Sequence, residues 1–142
     1  MSRLYNHILV PIDFTPKNDT ALQVAQVLAS REKARLTLAH VVEEIDETTG
    51  DDFLQFYEML RSKAVARLAT HARALRETGL EVDEYLVIGK PLVEILRYVH
   101  EQEVDLIVLG SHKIDIREER GHWGTLSYQL SVVCPCQALL VK

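Results

Sequence analysis

The sequence is poor in cysteine and aromatic residues, and it lacks any long apolar run. It has two cysteines, and aromatic residues make up 6% of the chain. No segment approaches the ~20 apolar residues that a membrane-spanning helix needs, which predicts no membrane insertion. The N-terminus has no signal-peptide pattern, so a cytoplasmic location is the default expectation. Acidic residues outnumber basic ones by 21 to 16, and the resulting net charge of −5 argues against a nucleic-acid partner.

The two cysteines, Cys134 and Cys136, flank Pro135. If this segment is a strand, neighbouring side chains alternate between its faces, which makes an intrachain disulfide geometrically unfavourable. A zinc site usually needs four ligands, and neither a second cysteine pair nor metal-ligand spacing among the six histidines is present. The pattern therefore predicts buried structural thiols and no metal site.

Length and composition predict one compact domain that spans residues 1–142. A chain of this length can build a single core, and 47% hydrophobic with 26% charged residues is ordinary for a globular protein. Neither a repeat nor a low-complexity tract interrupts the sequence.

Strand and helix patterns alternate along the whole chain. Near-continuous apolar runs predict buried parallel strands, and apolar residues at helical spacing predict amphipathic helices. The predicted strands cover residues 5–12, 35–42, 81–88, 104–109 and 137–141, and the predicted helices cover residues 18–32, 51–78, 91–102 and 125–133. This alternation is typical of an α/β fold with an open parallel five-stranded sheet and helices on both faces.

Within the second predicted helix, a stripe of apolar residues recurs at helical spacing. Such a stripe usually belongs to a core, and a role in lining a cofactor site is the less favoured alternative. The stripe consists of Phe53, Tyr57, Leu60, Ala64, Leu68 and Leu75.

The segment from Val104 to Ser127 is typical of a phosphate-binding element. An apolar strand ends at Gly110, a polar loop follows, and Gly124 and Thr125 open the last predicted helix. Backbone N–H groups converge at a helix N-terminus, the helix dipole favours an anion there, and glycine permits a close approach of the backbone.

These motifs resemble those of the universal stress protein family. The C-terminal segment is similar to that family's glycine motif, roughly G-x-x-G, nine residues and G-[ST]. Two other segments look like its remaining signatures, and the resemblance extends over almost the whole chain. These two segments are Ile8-Leu-Val-Pro-Ile-Asp13-Phe-Thr-Pro16 and Val87-Ile-Gly89-Lys-Pro91.

The resemblance implies a Rossmann-like sheet with strand order 3-2-1-4-5. In that order Asp13 and Gly110 end neighbouring strands and face each other across a cleft, where open α/β sheets bind ligands. It also implies that Asp13 and Val41 hold adenosine, while the glycine motif holds phosphates. The implied nucleotide-binding residues are Pro11, Ile12, Asp13, Val41, Leu109, Gly110, His112, Lys113, Gly124, Thr125, Leu126 and Ser127. From the residues alone, Asp13 could equally cap a turn or the first helix.

The sequence departs from the family pattern at two points. Lys113 stands where the family has its second glycine, and ten residues instead of nine separate it from Gly124. This ten-residue segment, residues 114–123, is rich in charged side chains. In one interpretation its basic residues replace backbone contacts to a polyphosphate; in the other they pair with its acidic residues and the site is degenerate.

The leading hypothesis is a universal stress protein that binds ATP, ADP or AMP and acts as a sensor or regulatory module. Mg²⁺ could accompany ATP, and the ligand would act by ordering the loop at residues 111–123. The alternative is a nucleotide-independent dimeric stress module that works through protein contacts. No combination of nucleophile, base and orienting group can be assembled from the spacing, so the sequence supports at most slow ATP hydrolysis.

A homodimer is predicted through the last strand, residues 137–142. This strand is apolar and falls at a sheet edge, and exposed edges invite pairing with a second copy. The resemblance implies the same, because members of the family commonly dimerise there. The sequence does not identify a regulatory protein partner.

Overall fold

The computed structural model describes residues 3–44, 51–111 and 125–142. Strands and helices alternate along these residues, as the sequence pattern predicts. The strands are β1 (His7–Pro11), β2 (Arg35–Glu43), β3 (Val82–Gly89), β4 (Leu106–Gly110) and β5 (Gln137–Val141). The helices are α1 (Lys17–Glu32), α2 (Asp51–Arg76), α3 (Pro91–Glu101) and α4 (Leu126–Val133). No helix in the described ranges is both long enough and apolar enough to cross a membrane.

The five strands form one parallel sheet in the order β3-β2-β1-β4-β5. This confirms the predicted α/β class and strand order. β1 is central because it pairs with β2 on one side and with β4 on the other; Ile8, for example, lies opposite both Leu36 and Leu106. β3 and β5 are the edge strands.

Helices cover both faces of the sheet and create two cores. One face of β1 presents Ile8 and Val10 to a cluster that includes buried residues of α1 and α2. The other face presents Leu9 to a cluster with buried residues of α3 and α4. All three β1 side chains have 0% exposure, which explains why the sequence of this strand is apolar without alternation.

The apolar stripe on α2 contributes to the core along only part of its length. Leu68 and Leu75 are buried in the first core, and Ala64 is also buried, as predicted. Phe53, in the first turn of the helix, has 40% of its surface exposed, so the prediction is wrong there. The sequence pattern cannot show where a long helix extends beyond the sheet that it covers.

The cysteine prediction is wrong in part, because both residues pack against the second core but are only partly buried. Cys134 and Cys136 lie in the turn between α4 and β5, not within a strand, and neither is fully buried. Because the backbone bends at Pro135, the two side chains lie on the same side, with their Sγ atoms 3.4 Å apart.

A buried polar chain lies near the amino end of the sheet. His7 at the start of β1 contacts Thr37 through Nε2 at 2.7 Å, and the Thr37 hydroxyl contacts the Tyr98 hydroxyl at 3.0 Å. On the other side of the ring, Nδ1 lies 3.1 Å from the carbonyl oxygen of Gln102 and 2.9 Å from Nη2 of Arg35. These contacts link β1, β2 and α3, so the chain fixes how α3 sits on the sheet.

The surroundings of His7 disfavour its charged form. Burial lowers the pKa of the imidazole most, and the nearby Arg35 lowers it further, against the opposing effects of the Gln102 carbonyl, Asp83 and Asp105. The folded-state pKa therefore lies below 6.5, the value of an unperturbed histidine. The neutral ring makes its full contribution to the free energy of unfolding above about pH 6.5. This contribution is lost as the pH falls through the folded-state pKa.

We therefore expect the free energy of unfolding to decrease between pH 7 and pH 5 more steeply in the wild-type protein than in His7→Gln. Glutamine can hydrogen-bond at this position but does not titrate, so the difference isolates the histidine. Urea denaturation at each pH measures it. Equal pH dependence in the two proteins would contradict the assignment.

Candidate ligand pocket at the carboxyl edge of the sheet

A pocket of about 580 Å³ opens at the carboxyl ends of the central strands. Its walls come from the ends of β1, β2 and β4, from α1 and α2, and from the starts of α3 and α4. The volume falls in the usual range for a small-molecule site, roughly 300–1,000 Å³. The location is the crevice where β1 and β4 lie side by side, with α1 and α4 on opposite faces of the sheet.

The pocket brings together most of the residues that the sequence predicted for a nucleotide site. Pro11, Ile12, Asp13, Val41, Leu109, Gly110, Leu126 and Ser127 line it. Thr125 is close by but caps α4 instead of lining the pocket. His112, Lys113 and Gly124 fall outside the described residues, as does the rest of the charged segment between Ser111 and Thr125.

Asp13 is held by its own neighbours at the end of β1. Its Oδ1 accepts hydrogen bonds from the Thr15 backbone N–H at 3.0 Å and from the Thr15 hydroxyl at 2.5 Å, and its Oδ2 lies 3.0 Å from Nζ of Lys17. Burial raises the pKa of this carboxyl, but the hydrogen bonds from Thr15 and Lys17 outweigh it and hold the pKa below its usual range. Asp13 therefore stays ionised, and it also forms the turn that the alternative interpretation predicted.

Gly110 is required by the close approach of α1. A Cβ atom at this position would lie 2.7 Å from the backbone carbonyl oxygen of Lys17, far inside normal contact distance. Gly110 does not have a positive φ angle. The glycine therefore allows helix α1 to pack against the end of β4, which brings Asp13 and Gly110 to the same crevice.

The first turn of α4 is tied to the end of β4. The Ser127 hydroxyl donates a hydrogen bond to the Gly110 carbonyl oxygen at 2.8 Å. The Thr125 hydroxyl accepts from the Tyr128 backbone N–H at 3.3 Å, which is an N-cap. These contacts place the N-terminal end of a helix, with its partial positive charge, beside the pocket.

Sequence reasoning missed Phe14, which follows Asp13 and also lines the pocket. Its φ angle is 63°, a left-handed conformation that is unusual for a large residue. The ring is held by His40, with centroids 4.6 Å apart, and by the Arg67 guanidinium, 4.4 Å from the ring centroid. The backbone strain is therefore stabilised by packing from β2 and α2, and no local sequence signal predicts it.

Three basic residues around the pocket were also missed: Lys17 on α1, and Lys63 and Arg67 on α2. The two α2 residues lie on the same helix face as Leu60 and Ala64, at spacings of three and four residues. Because the apolar stripe on α2 was predicted, this spacing could also have predicted that Lys63 and Arg67 lie beside it. They add positive charge to a pocket that also contains the Asp13 and Glu43 carboxylates.

The fold and the pocket together define a doubly wound α/β domain with a crevice between the carboxyl ends of its central strands. Comparison with known proteins identifies the family within this fold class. The profile of the universal stress protein family matches residues 4–142, and the chain belongs to that family.

Individual relatives agree with this assignment. The universal stress protein YxiE of Bacillus subtilis is 28% identical over 149 aligned positions, which cover 98% of this chain and 100% of the relative. Among solved structures, the universal stress protein UspA from Lactobacillus plantarum superposes with a TM-score of 0.83 at 24% identity, covering 100% of both chains. The universal stress protein from Archaeoglobus fulgidus, solved in complex with dAMP, has a TM-score of 0.66 at 18% identity, covering 98% of this chain and 99% of that one.

The contact between Gly110 and α1 gives a test of the pocket's architecture. Gly110→Ala should lower the free energy of unfolding by about 1–3 kcal/mol, because backbone must move to accept the methyl group. Gly89→Ala is the matched control: its added Cβ would lie 2.8 Å from the side-chain Cγ of Glu94, and a side chain can move. We expect a loss below about 1 kcal/mol for the control. Urea denaturation compares the two, and equal losses would refute the explanation.

Proposed function

We propose that the protein binds an adenine nucleotide in this pocket and acts as a sensor or regulatory module in a stress response. The observation that carries the proposal is the composition of the pocket. An apolar slot, an ionised carboxylate and a helix N-terminus lie in one crevice of about 580 Å³. A nucleotide offers complementary groups in the same combination: a flat base, a sugar with hydroxyl groups, and phosphate.

The base and sugar would occupy the side of the pocket formed by β1 and β2. Ala39, Val41 and Val42 of β2, with Leu60 of α2, give this side an apolar lining. Asp13 stays ionised and can accept hydrogen bonds from sugar hydroxyls. The dAMP in the Archaeoglobus fulgidus protein supports adenine as the base. The proposed ligand is ATP, ADP or AMP, and Mg²⁺ would accompany ATP.

The phosphates would lie toward Gly110 and the start of α4. Ser127 has its hydroxyl at this end, and the first turn of α4 begins with the Thr125 cap. Backbone N–H groups of a helix N-terminus attract phosphate oxygens. Lys17, Lys63 and Arg67 also line the pocket, and their positive charge favours an anionic ligand there. His112, Lys113 and Gly124 belong to the same hypothesis, on residues outside the described part of the chain.

Calorimetric titration with ATP, ADP and AMP tests the proposal. Asp13→Asn should weaken binding about ten- to a hundredfold, because a charge-assisted hydrogen bond contributes roughly 1.5–3 kcal/mol. Asp19→Asn is the matched control, since Asp19 is an exposed carboxylate on α1 that does not line the pocket. The absence of binding heat for all three nucleotides, or equal affinity of Asp13→Asn and wild type, would reject the proposed site.

A nucleotide-independent dimeric module remains the second candidate, and exposed apolar residues near the β5 edge favour an interface there. Among the described residues β5 pairs only with β4, so its other edge offers unpaired backbone groups. Val132 and Val133 of α4 have 65% and 52% of their surface exposed, and Leu139 of β5 has 38% exposed. We infer that two copies associate through this surface, whether or not a nucleotide binds.

Light scattering at micromolar concentration should give twice the chain mass of 16.2 kDa. Val132→Lys should shift the protein toward the monomer, because the charge would be buried in the interface. Val27→Lys on α1, where the valine is 47% exposed, is the control and should remain dimeric. A monomeric wild-type protein would overturn the dimer.

A mass spectrum of the small molecules released on denaturation distinguishes the two candidate functions, since co-purified adenine nucleotide argues for nucleotide binding.

A further inference from the structure

The Cys134-Pro135-Cys136 turn lies at the opposite end of the sheet from the pocket. Cys134 caps the C-terminus of α4, where its backbone N–H donates to the Leu130 carbonyl oxygen at 2.9 Å. β5 then begins at Gln137, which lies opposite Leu106, the first residue of β4. The turn is therefore near the amino end of the strands, and neither cysteine takes part in the proposed nucleotide site.

The two sulfur atoms are already placed for reaction with each other. Their separation is 3.4 Å, so an approach of roughly 1.4 Å would bring them to the disulfide bond length of about 2.05 Å. Both side chains are partly exposed, which leaves them accessible to a small oxidant. This combination of proximity and access is unusual for cysteines that serve only to fill a core.

The pKa values of the two neighbouring thiols shift in opposite directions, which gives them different roles. The hydrogen bond from Cys136 lowers the pKa of Cys134 to about 6, against the opposing effect of burial. The same hydrogen bond, burial and the charge on Cys134 raise the pKa of Cys136. At neutral pH Cys134 is therefore the thiolate and nucleophile, and Cys136 is the thiol that keeps its proton.

A structural metal site explains the pair less well. Tetrahedral zinc sites use four protein ligands. Among the residues that the structure describes, no three His, Cys, Asp or Glu side chains gather in a way that could hold a metal ion. The two thiols are thus left with each other as reaction partners.

We propose that Cys134 and Cys136 form a redox-active dithiol that a hydroperoxide oxidises to an intrachain disulfide. The Cys134 thiolate attacks one peroxide oxygen, the O–O bond breaks, and the hydroxide that leaves takes up a proton to become water. Cys134 is then a sulfenic acid. The Cys136 sulfur attacks the Cys134 sulfur, the S–O bond breaks, and hydroxide leaves with the Cys136 proton as a second water.

The overall reaction converts two thiols and one hydrogen peroxide into one disulfide and two waters. The sulfur atoms lose two electrons and the peroxide gains them. A dithiol reductant reverses the change by thiol–disulfide exchange. Because Cys136 is in contact with the sulfur that is oxidised first, it traps the sulfenic acid before a second peroxide converts it to an irreversible sulfinic acid.

Intact-mass spectrometry of the full chain after treatment with equimolar hydrogen peroxide tests the proposal. We expect the wild-type protein to lose about 2 Da, the mass of two hydrogens, and to regain it with dithiothreitol. The Cys136→Ser variant should instead gain oxygen atoms and react with a sulfenic-acid probe. The Cys134→Ser variant should consume peroxide at least about tenfold more slowly, because the remaining thiol is protonated.

Two outcomes would overturn the proposal. A wild-type protein that gains oxygen without losing two hydrogens would show that Cys136 does not resolve the sulfenic acid. A covalent dimer on a non-reducing gel would show that the disulfide is intermolecular. Should a serine variant fail to fold, peptide mapping of the oxidised wild-type protein still gives the answer, because the Cys134–Cys136 cross-link lies within one peptide.

Discussion

The structure depends on the position of β1, a buried strand with partners on both sides. Its side chains contribute to two cores, and the helices α1 and α4 lie on opposite faces of the sheet: α1 packs into one core and α4 into the other. Two neighbouring parallel strands whose continuations diverge must leave a crevice at their carboxyl ends. The pocket is therefore a consequence of the strand order, and the residues that follow each strand determine its chemistry.

Within that crevice, the same residues hold the fold together and shape the pocket. Gly110 lets α1 approach, its carbonyl oxygen accepts from Ser127, and Lys17 both touches Gly110 and pairs with Asp13. The universal stress protein motifs thus have a structural reason that does not require a ligand. A member of the family could keep Gly110 for packing alone, so this glycine does not by itself indicate a bound ligand, whereas the polar and charged groups of the pocket can contact one.

The sequence was sufficient to predict the strands and helices, but it was not sufficient to predict which other residues each of them contacts. The apolar run of β1 predicts a doubly buried strand, because only such a strand can do without alternation. Strand order came from the family resemblance, since periodicity contains no information on which strands pair. Lys63 and Arg67 could be placed on one face of α2, but what that face meets depends on how α2 docks. The left-handed Phe14 is stabilised by contacts from β2 and α2, which are distant in sequence. The cysteine prediction failed in part, because alternation was assumed where a proline bends the chain.

The central position of β1 also affects how the protein is made. β2 follows β1 closely on the ribosome, but β4, which covers its other edge, is roughly a hundred residues away, an interval of about 5–20 s at usual synthesis rates. During this time the nascent chain can form β3, β2 and β1 with α1, α2 and α3, while the second edge of β1 waits for β4 and the core around Leu9 waits for Leu130 of α4. A chain truncated before β4 would leave the second edge of β1 unpaired, and an unpaired edge is a template for aggregation.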